Sequence, residues 1–199
     1  MNCLIHDIKT QDDILAAMVL KVTTEGWTLK CLEHSVMELG FSENEAKRAF
    51  QGNLNHVFNH LIDMIDRRMS DSLKEIDLRT YRVRERIIFL ILLRLQFMVP
   101  YRLLLTKALK SQSFSGSVIN LSQKFFGTVN NIWYTSGDQA TDFNYYSKRF
   151  LLSGVYASTF LFWLQDKSLD FSKTQKFLEN RIDQIMKVSA WIRRLKGVG

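Results

Sequence analysis

Apolar residues recur at helical spacing along nearly the whole chain. Ile14, Leu15, Met18 and Val22 share one face of a first helix, predicted from Ile14 to Glu25 and stopped by Gly26. Thr28 is placed to cap a second helix reaching Leu39. After a turn at Gly40, Ser42-Glu43-Asn44-Glu45 has the form of a capping box and predicts a short third helix through Phe50. Leu54, Val57, Phe58, Leu61, Ile62 and Ile65 mark one face of a fourth helix, from Asn53 to Lys74. Helix, helix, glycine turn and short helix is the layout of a helix-turn-helix module.

From Arg79 to Lys110 the pattern stays helical, but Pro100 removes a backbone donor and predicts two helices rather than one. A Ser/Gly loop, Ser111 to Ser117, precedes a helix over Val118–Tyr134. Beyond the polar corner Thr135–Asp142, the helix Phe143–Gln165 is apolar around most of its circumference and has to be covered on several sides. Ser147, Gly154 and Ser158 form a stripe of small residues along it, where another helix could approach closely, within the fold or across a dimer. A last helix opens at Ser172-Lys173-Thr174-Gln175, also read as a capping box. The expectation is an all-α fold with no sheet: a helix-turn-helix-like module over residues 1–77 and a helical bundle over 78–199.

Charge separates the same two regions. The net charge is +7, yet residues 1–77 hold eight Lys/Arg against thirteen Asp/Glu, so the basic excess lies in 78–199. It gathers at Arg79, Arg82, Arg84 and Arg86, and at Lys187, Arg193, Arg194 and Lys196 after the last acid, Asp183; both clusters suit an anionic lipid surface. The apolar run Ile87–Leu105 approaches membrane-spanning length, but Arg94 lies near its centre. An arginine there costs about 2.5 to 3.5 kcal/mol on insertion scales, which favours a buried core helix. Cys3 and Cys31 form no CxxC, and Met1–Asp7 has neither the basic nor the apolar segment of a secretory signal, so a reducing compartment is expected.

Catalytic constellations are sparse. His56, His60 and Asp63 share a helical face, but HExxH is missing and no acid or cysteine cluster completes a metal site; a solvated polar face accounts for them better. GxGxxG, P-loop, GxSxG and Glu-x-x-His patterns are all missing. No metal, cofactor or enzymatic activity is therefore expected. The helix-turn-helix layout raises a DNA-binding regulator as the alternative. Its third helix, however, offers Lys47 and Arg48 against Glu43 and Glu45 inside an acidic segment, which argues against nucleic-acid binding.

The run from Ile132 through Arg149, with Gly137-Asp138, Thr141-Asp142-Phe143-Asn144 and Tyr146-Ser147-Lys148-Arg149 in order, resembles the signature of the coenzyme Q nine family of ubiquinone-biosynthesis proteins. Trp163-Leu164-Gln165-Asp166-Lys167-Ser168, Thr174 and Phe177-Leu178-Glu179-Asn180-Arg181 continue it, so the match covers about Val129–Arg181. In the first half only the layout agrees, with Gly26-Trp27, Leu39-Gly40-Phe41 and Phe50.

The resemblance implies a TetR-like fold that has lost DNA binding, forms a homodimer and holds an isoprenoid lipid or ubiquinone precursor among its C-terminal helices. It also implies a partner, the di-iron hydroxylase of demethoxyubiquinone. Carried onto this chain, the partner patch comprises Ile132, Trp133, Asp142, Tyr145 and Tyr146, with Tyr145 where the family commonly has tryptophan. Trp133 and Tyr146 could instead close the corner between two helices. Pocket candidates on the apolar helix faces are Leu92, Leu95, Met98, Leu103, Leu121, Phe125, Leu152, Tyr156 and Phe160, although a solid core would use the same residues.

Family members carry a long amphipathic membrane helix beyond the last motif, whereas this chain ends eighteen residues after Arg181. A short amphipathic tail is therefore expected to meet an anionic membrane through Lys187, Trp191, Ile192, Arg193, Arg194 and Leu195, unless Trp191 and its neighbours dock on the core. The expected location is the bacterial cytoplasm, peripheral on the inner membrane, or the matrix side of the mitochondrial inner membrane for a processed organellar protein.

Overall fold

The computed structural model describes residues 7–111, 118–136 and 143–195, with side chains over 7–111, 127–136 and 149–186. Among them every regular element is a helix: α1 (Ile8–Glu25), α2 (Leu29–Glu38), α3 (Glu43–Arg48), α4 (Leu54–Leu73), α5 (Val83–Met98), α6 (Arg102–Lys110), α7 (Val118–Thr135), α8 (Phe143–Gln165) and α9 (Ser172–Leu195). The chain forms two compact units, one from residues 1–72 and 97–124, the other from 73–96 and 125–199. The first crossing lies close to the change in charge near residue 77. The return of residues 97–124 to unit 1 has no counterpart in charge or composition.

In unit 1, α1 packs on α2 and α6. Ile14, Leu15, Met18 and Val22 of α1 and Val57, Leu61 and Ile65 of α4 are buried, positions that the spacing places on one helical face, and Leu32 and Val36 of α2 are buried with them. The predicted caps form. Thr28 Oγ1 accepts from the Cys31 amide at 3.1 Å. Ser42 Oγ accepts from the Glu45 amide at 3.4 Å, while the Ser42 amide donates to the Glu45 carboxylate at 2.9 Å.

Two boundaries differ from the expectation. Helix α1 begins at Ile8, with Thr10 buried in its first turn. Helix α3 ends at Arg48, short of Phe50, because Phe50, Gln51 and Gly52 turn left-handed with φ of 49°, 56° and 62°. Left-handed backbone is costly at non-glycine positions, and burial of Phe50, whose ring meets His60 edge-on at 5.6 Å, offsets it.

Residues 83–110 are long and apolar enough to cross a membrane by composition, with half of the most apolar window buried. Pro100 interrupts them in a 3-10 turn, Val99–Tyr101, as its missing donor predicts. Tyr101 is held there by Arg68, whose guanidinium donates to the phenol oxygen at 3.2 Å.

Unit 2 combines α5 residues up to Gln96 with α8, α9 and most of α7. Helices α8 and α9 pack on each other, and Arg84 of α5 binds Asp183 of α9 through Nε at 2.8 Å and Nη2 at 2.7 Å. Trp163, Leu178 and Val129 are fully buried.

Candidate functional site

The corner joining α8 to α9 explains the later part of the signature. Asp166 is 5% exposed and accepts four hydrogen bonds: from the Ser168 amide (2.8 Å) and hydroxyl (2.6 Å), and from the Thr174 amide (2.9 Å) and hydroxyl (2.6 Å). Burial works to raise this carboxyl's pKa, but the bonds from Ser168 and Thr174 outweigh it and hold the group well below the ordinary carboxylate range. Asp166 and Ser168, whose Oγ accepts from the Lys173 amide at 3.2 Å, therefore cap α9, and Ser172 is already helical. The capping box expected at Ser172 is corrected accordingly. The better acceptor is a carboxylate six residues upstream, reached because Asp170 and Phe171 turn the chain with positive φ.

Phe177 of the last motif stacks on Phe162, with centroids 4.5 Å apart and planes within 7°, and the Arg181 guanidinium lies 5.0 Å from the Phe177 ring centre. Beside this stack a groove of about 600 Å³ opens between α8 and α9. It is lined by Ser158, Leu161, Phe162 and Gln165 of α8, Asp166 and Lys167 of the corner, and Lys173 and Phe177 of α9. None of the pocket candidates lines it.

Those candidates are distributed unevenly. Leu95, Leu152 and Tyr156 are at most 3% exposed in unit 2, with Leu92 and Phe160 half-buried there. Met98 is buried in unit 1. Leu103, also in unit 1, is 43% exposed and lines no interior: the turn at Pro100 shifts the helical phase, so that Leu104 and Leu105 are buried instead. The side chains of Leu121 and Phe125 lie outside the described residues.

Sequence reasoning used Arg94 only to read its run as a buried core helix and gave it no part in a site. Arg94 is 2% exposed within the most apolar helix, and its Nε donates to Tyr156 Oη at 2.8 Å. Three residues along α8, Thr159 is fully buried and its hydroxyl has no hydrogen-bond partner among the described residues. An arginine near the centre of an apolar run was the available signal.

Of the partner patch, Ile132 is 2% exposed and so supports the surface rather than forming it, a correction to its assignment. Trp133 is half-buried, and its neighbour Tyr134, not singled out from sequence, is 80% exposed. Phe150, 73% exposed on α8, follows Arg149, whose Nε reaches Asn130 of α7 at 2.8 Å. Asp142 and the side chains of Tyr145 and Tyr146 lie outside the described residues. In the small-residue stripe Gly154 is exposed, with nothing within 4 Å of where a Cβ would stand, so no described helix of this chain approaches closely there.

The basic clusters also divide. Arg84 is held by Asp183, and Arg86 donates to the carbonyls of Tyr81, Arg79 and Ser136. Arg79 and Arg82 remain exposed. At the other end the backbone of α9 runs unbroken to Leu195, so the tail begins as a continuation of α9 rather than a separate helix. The side chains of Lys187, Trp191, Ile192, Arg193, Arg194 and Leu195 lie outside the described residues. In unit 1, His60 Nε2 meets Asp12 at 2.6 Å, and Arg67 donates to the same carboxylate at 3.0 Å. Burial pushes the Cys31 thiol up to about 11, away from nucleophilic chemistry.

Comparison with known proteins places these features. The sequence model of the COQ9 family matches residues 119–189. Ubiquinone biosynthesis protein COQ9, mitochondrial, of Bos taurus is 29% identical over 196 residues, covering 95% of this chain and 61% of the relative; the Homo sapiens protein gives the same figures. A probable ubiquinone biosynthesis protein coq9, mitochondrial, of Dictyostelium discoideum is 28% identical over 180 residues, covering 87% and 59%. The chain thus spans about three fifths of the length of these relatives. Among solved structures, a TetR transcriptional regulator from Nitrosomonas europaea superposes with a TM-score of 0.69 over 92% of this chain and 99% of its own, at 20% identity. Signature, family match and similarity along the chain agree: the chain is similar to the COQ9 proteins of ubiquinone biosynthesis and has an all-α, TetR-like fold.

Proposed function

We propose that the chain is a lipid-binding accessory protein of ubiquinone biosynthesis, which holds an isoprenoid quinone precursor and presents it to the di-iron demethoxyubiquinone hydroxylase at a membrane surface. The observation that carries this reading is the signature segment: the family match falls on it, and the relatives that share it are named for ubiquinone biosynthesis. An isoprenoid chain is too apolar to leave a bilayer unaided, so a protein that shelters it between helices lowers the cost of bringing the ring to a soluble catalytic site.

In this reading the isoprenoid lies along Leu92, Leu95, Leu152 and Phe160 of unit 2. The ring's oxygens meet Arg94, Tyr156 and the Thr159 hydroxyl, which has no hydrogen-bond partner among the described residues. A buried polar atom without a partner is costly, and a ligand oxygen removes that cost. The reaction itself belongs to the hydroxylase, and the protein acts without a metal or cofactor of its own. Trp133, Tyr145 and Tyr146, with exposed Tyr134, form the docking patch, and two copies pair along α8 at Phe150 and Gly154. The relatives are named as mitochondrial, which supports the organellar option; within it the proposed location is the matrix side of the inner membrane, with the bacterial inner membrane as the alternative.

Co-purification with the hydroxylase tests the presentation step. The native chain should retain the enzyme and Trp133→Asp should release it with helical content unchanged. A hydroxylase that never associates, or that binds both chains equally, contradicts the reading. Sequence-specific DNA binding is the second reading and is favoured by the fold match alone. Against it, Lys47 of the short α3 is tied to Glu43 at 2.6 Å within the acidic residues 1–77.

A further inference from the structure

The groove between α8 and α9 has its own chemistry, and we propose that it seats an anionic phospholipid of the bilayer, with the phosphate between Lys167 and Lys173 and an acyl chain along Leu161, Phe162 and Phe177. Its lining includes the stacked Phe162–Phe177 pair, a rigid apolar surface of the kind an alkyl chain covers. Both lysines are exposed, and neither makes an ion pair among the described residues. The one carboxylate of the lining, Asp166, has its oxygens engaged by Ser168 and Thr174. An anion arriving at the lysines therefore competes with no existing salt bridge.

Leu169 identifies the medium. It lies between the two lysines in sequence and is 86% exposed, which is unfavourable in water and favourable at the boundary of headgroups and acyl chains. Leu169 stands beside exposed Asp170, with Lys167 two residues before it and Lys173 four after it, and a protruding leucine with basic groups this near suits a membrane contact, apolar group inward and ammonium groups at the phosphates. The volume of about 600 Å³ suits one lipid chain and head rather than a partner helix. The chain's own tail is a poor occupant, because Lys187, Arg193, Arg194 and Lys196 would meet lysines of like charge. This site stands apart from the interior proposed for the quinone and does not require that a quinone be carried.

Flotation of the full chain with phosphatidylcholine vesicles, with and without phosphatidylglycerol, tests the assignment. The double variant Lys167→Gln, Lys173→Gln should weaken binding to the anionic vesicles roughly thirtyfold, from the attraction lost per basic residue. Lys167→Arg with Lys173→Arg should restore it, and Leu169→Ser should weaken it about tenfold through lost apolar burial. All three positions are exposed, so melting temperatures should match the native chain, and the tail is intact throughout. Unchanged vesicle binding in the glutamine variant would overturn the proposal. So would saturation of the native groove by inorganic phosphate without vesicles, which would make it a simple anion site. Loss of self-association in the glutamine variant, measured by sedimentation, would make it a contact between copies and also overturn the proposal. Quinone content, measured on the same preparations by extraction, reports separately on the carrier reading.

Discussion

Unit 1 and unit 2 treat buried polar groups differently. Among the described residues of unit 1 the buried polar ones are Thr10 and Ser35, and ion pairs such as Lys21 with Glu38 at 2.7 Å and Asp12 with Arg67 at 3.0 Å are at least partly exposed. In unit 2 the described interior holds Arg94, Thr128, Ser136, Ser153, Thr159, Asp166 and Thr174. Burying such groups costs stability unless each is paired, and apolar replacements would often be more stable. Unit 1 therefore reads as a scaffold in which patterning, caps and packing agree. Unit 2 departs from that economy in the region that carries the signature, which is where a fold gives up stability for a ligand or partner.

The contrast can be broken by substitution. The largest effect is expected at the corner: Asp166→Ala strands two amides and two hydroxyls and should cost about 3 kcal/mol in urea unfolding. The depressed carboxyl pKa gives a pH signature. Its contribution is present above the unfolded carboxylate value, about 4, and is lost as pH falls below that toward the folded value. The native chain should lose stability through that acid window, and Asp166→Asn should flatten the loss. By contrast Asp12→Asn in unit 1, removing a partly exposed pair, should cost about 1 kcal/mol or less.

Arg94→Met should keep the fold, since an apolar side chain of similar length suits that interior. It should lower the affinity for a quinone analogue about ten- to a hundredfold by removing a charged donor. Thr159→Val separates ligand from fold most sharply: ligand-free stability should rise by about 1 kcal/mol while analogue affinity falls about fivefold. Affinity that is unchanged in both variants would make these groups structural. A smaller effect is expected from truncation after Lys187, which should reduce salt-sensitive binding to anionic vesicles while leaving the melting temperature unchanged. A fall in melting temperature would show instead that the tail docks on the core.

Most of the helical framework was legible because spacing and breakers are local signals. Helix α8 lies at the predicted bounds, and the caps at Thr28 and Ser42 form as read. The misses have a common cause in interactions between residues distant along the chain or turned by unusual backbone. The left-handed turn at Phe50 is sustained by burial, and the α9 cap comes from Asp166, beyond the reach of a four-residue motif. Leu103 is exposed because Pro100 changes the helical phase, and Ile132 is buried although its neighbour Tyr134 is exposed. For the proposed site, the signature falls in unit 2. The polar pair inside it and the groove beside it required the tertiary arrangement of α5, α8 and α9.

Lipid extraction from the purified chain, followed by mass spectrometry, tests the central claim most directly. The account predicts an isoprenoid quinone or its precursor in the extract, or its uptake by a stripped preparation, with reduced yield from Arg94→Met. A native preparation that contains no isoprenoid and takes up no labelled quinone analogue would contradict it.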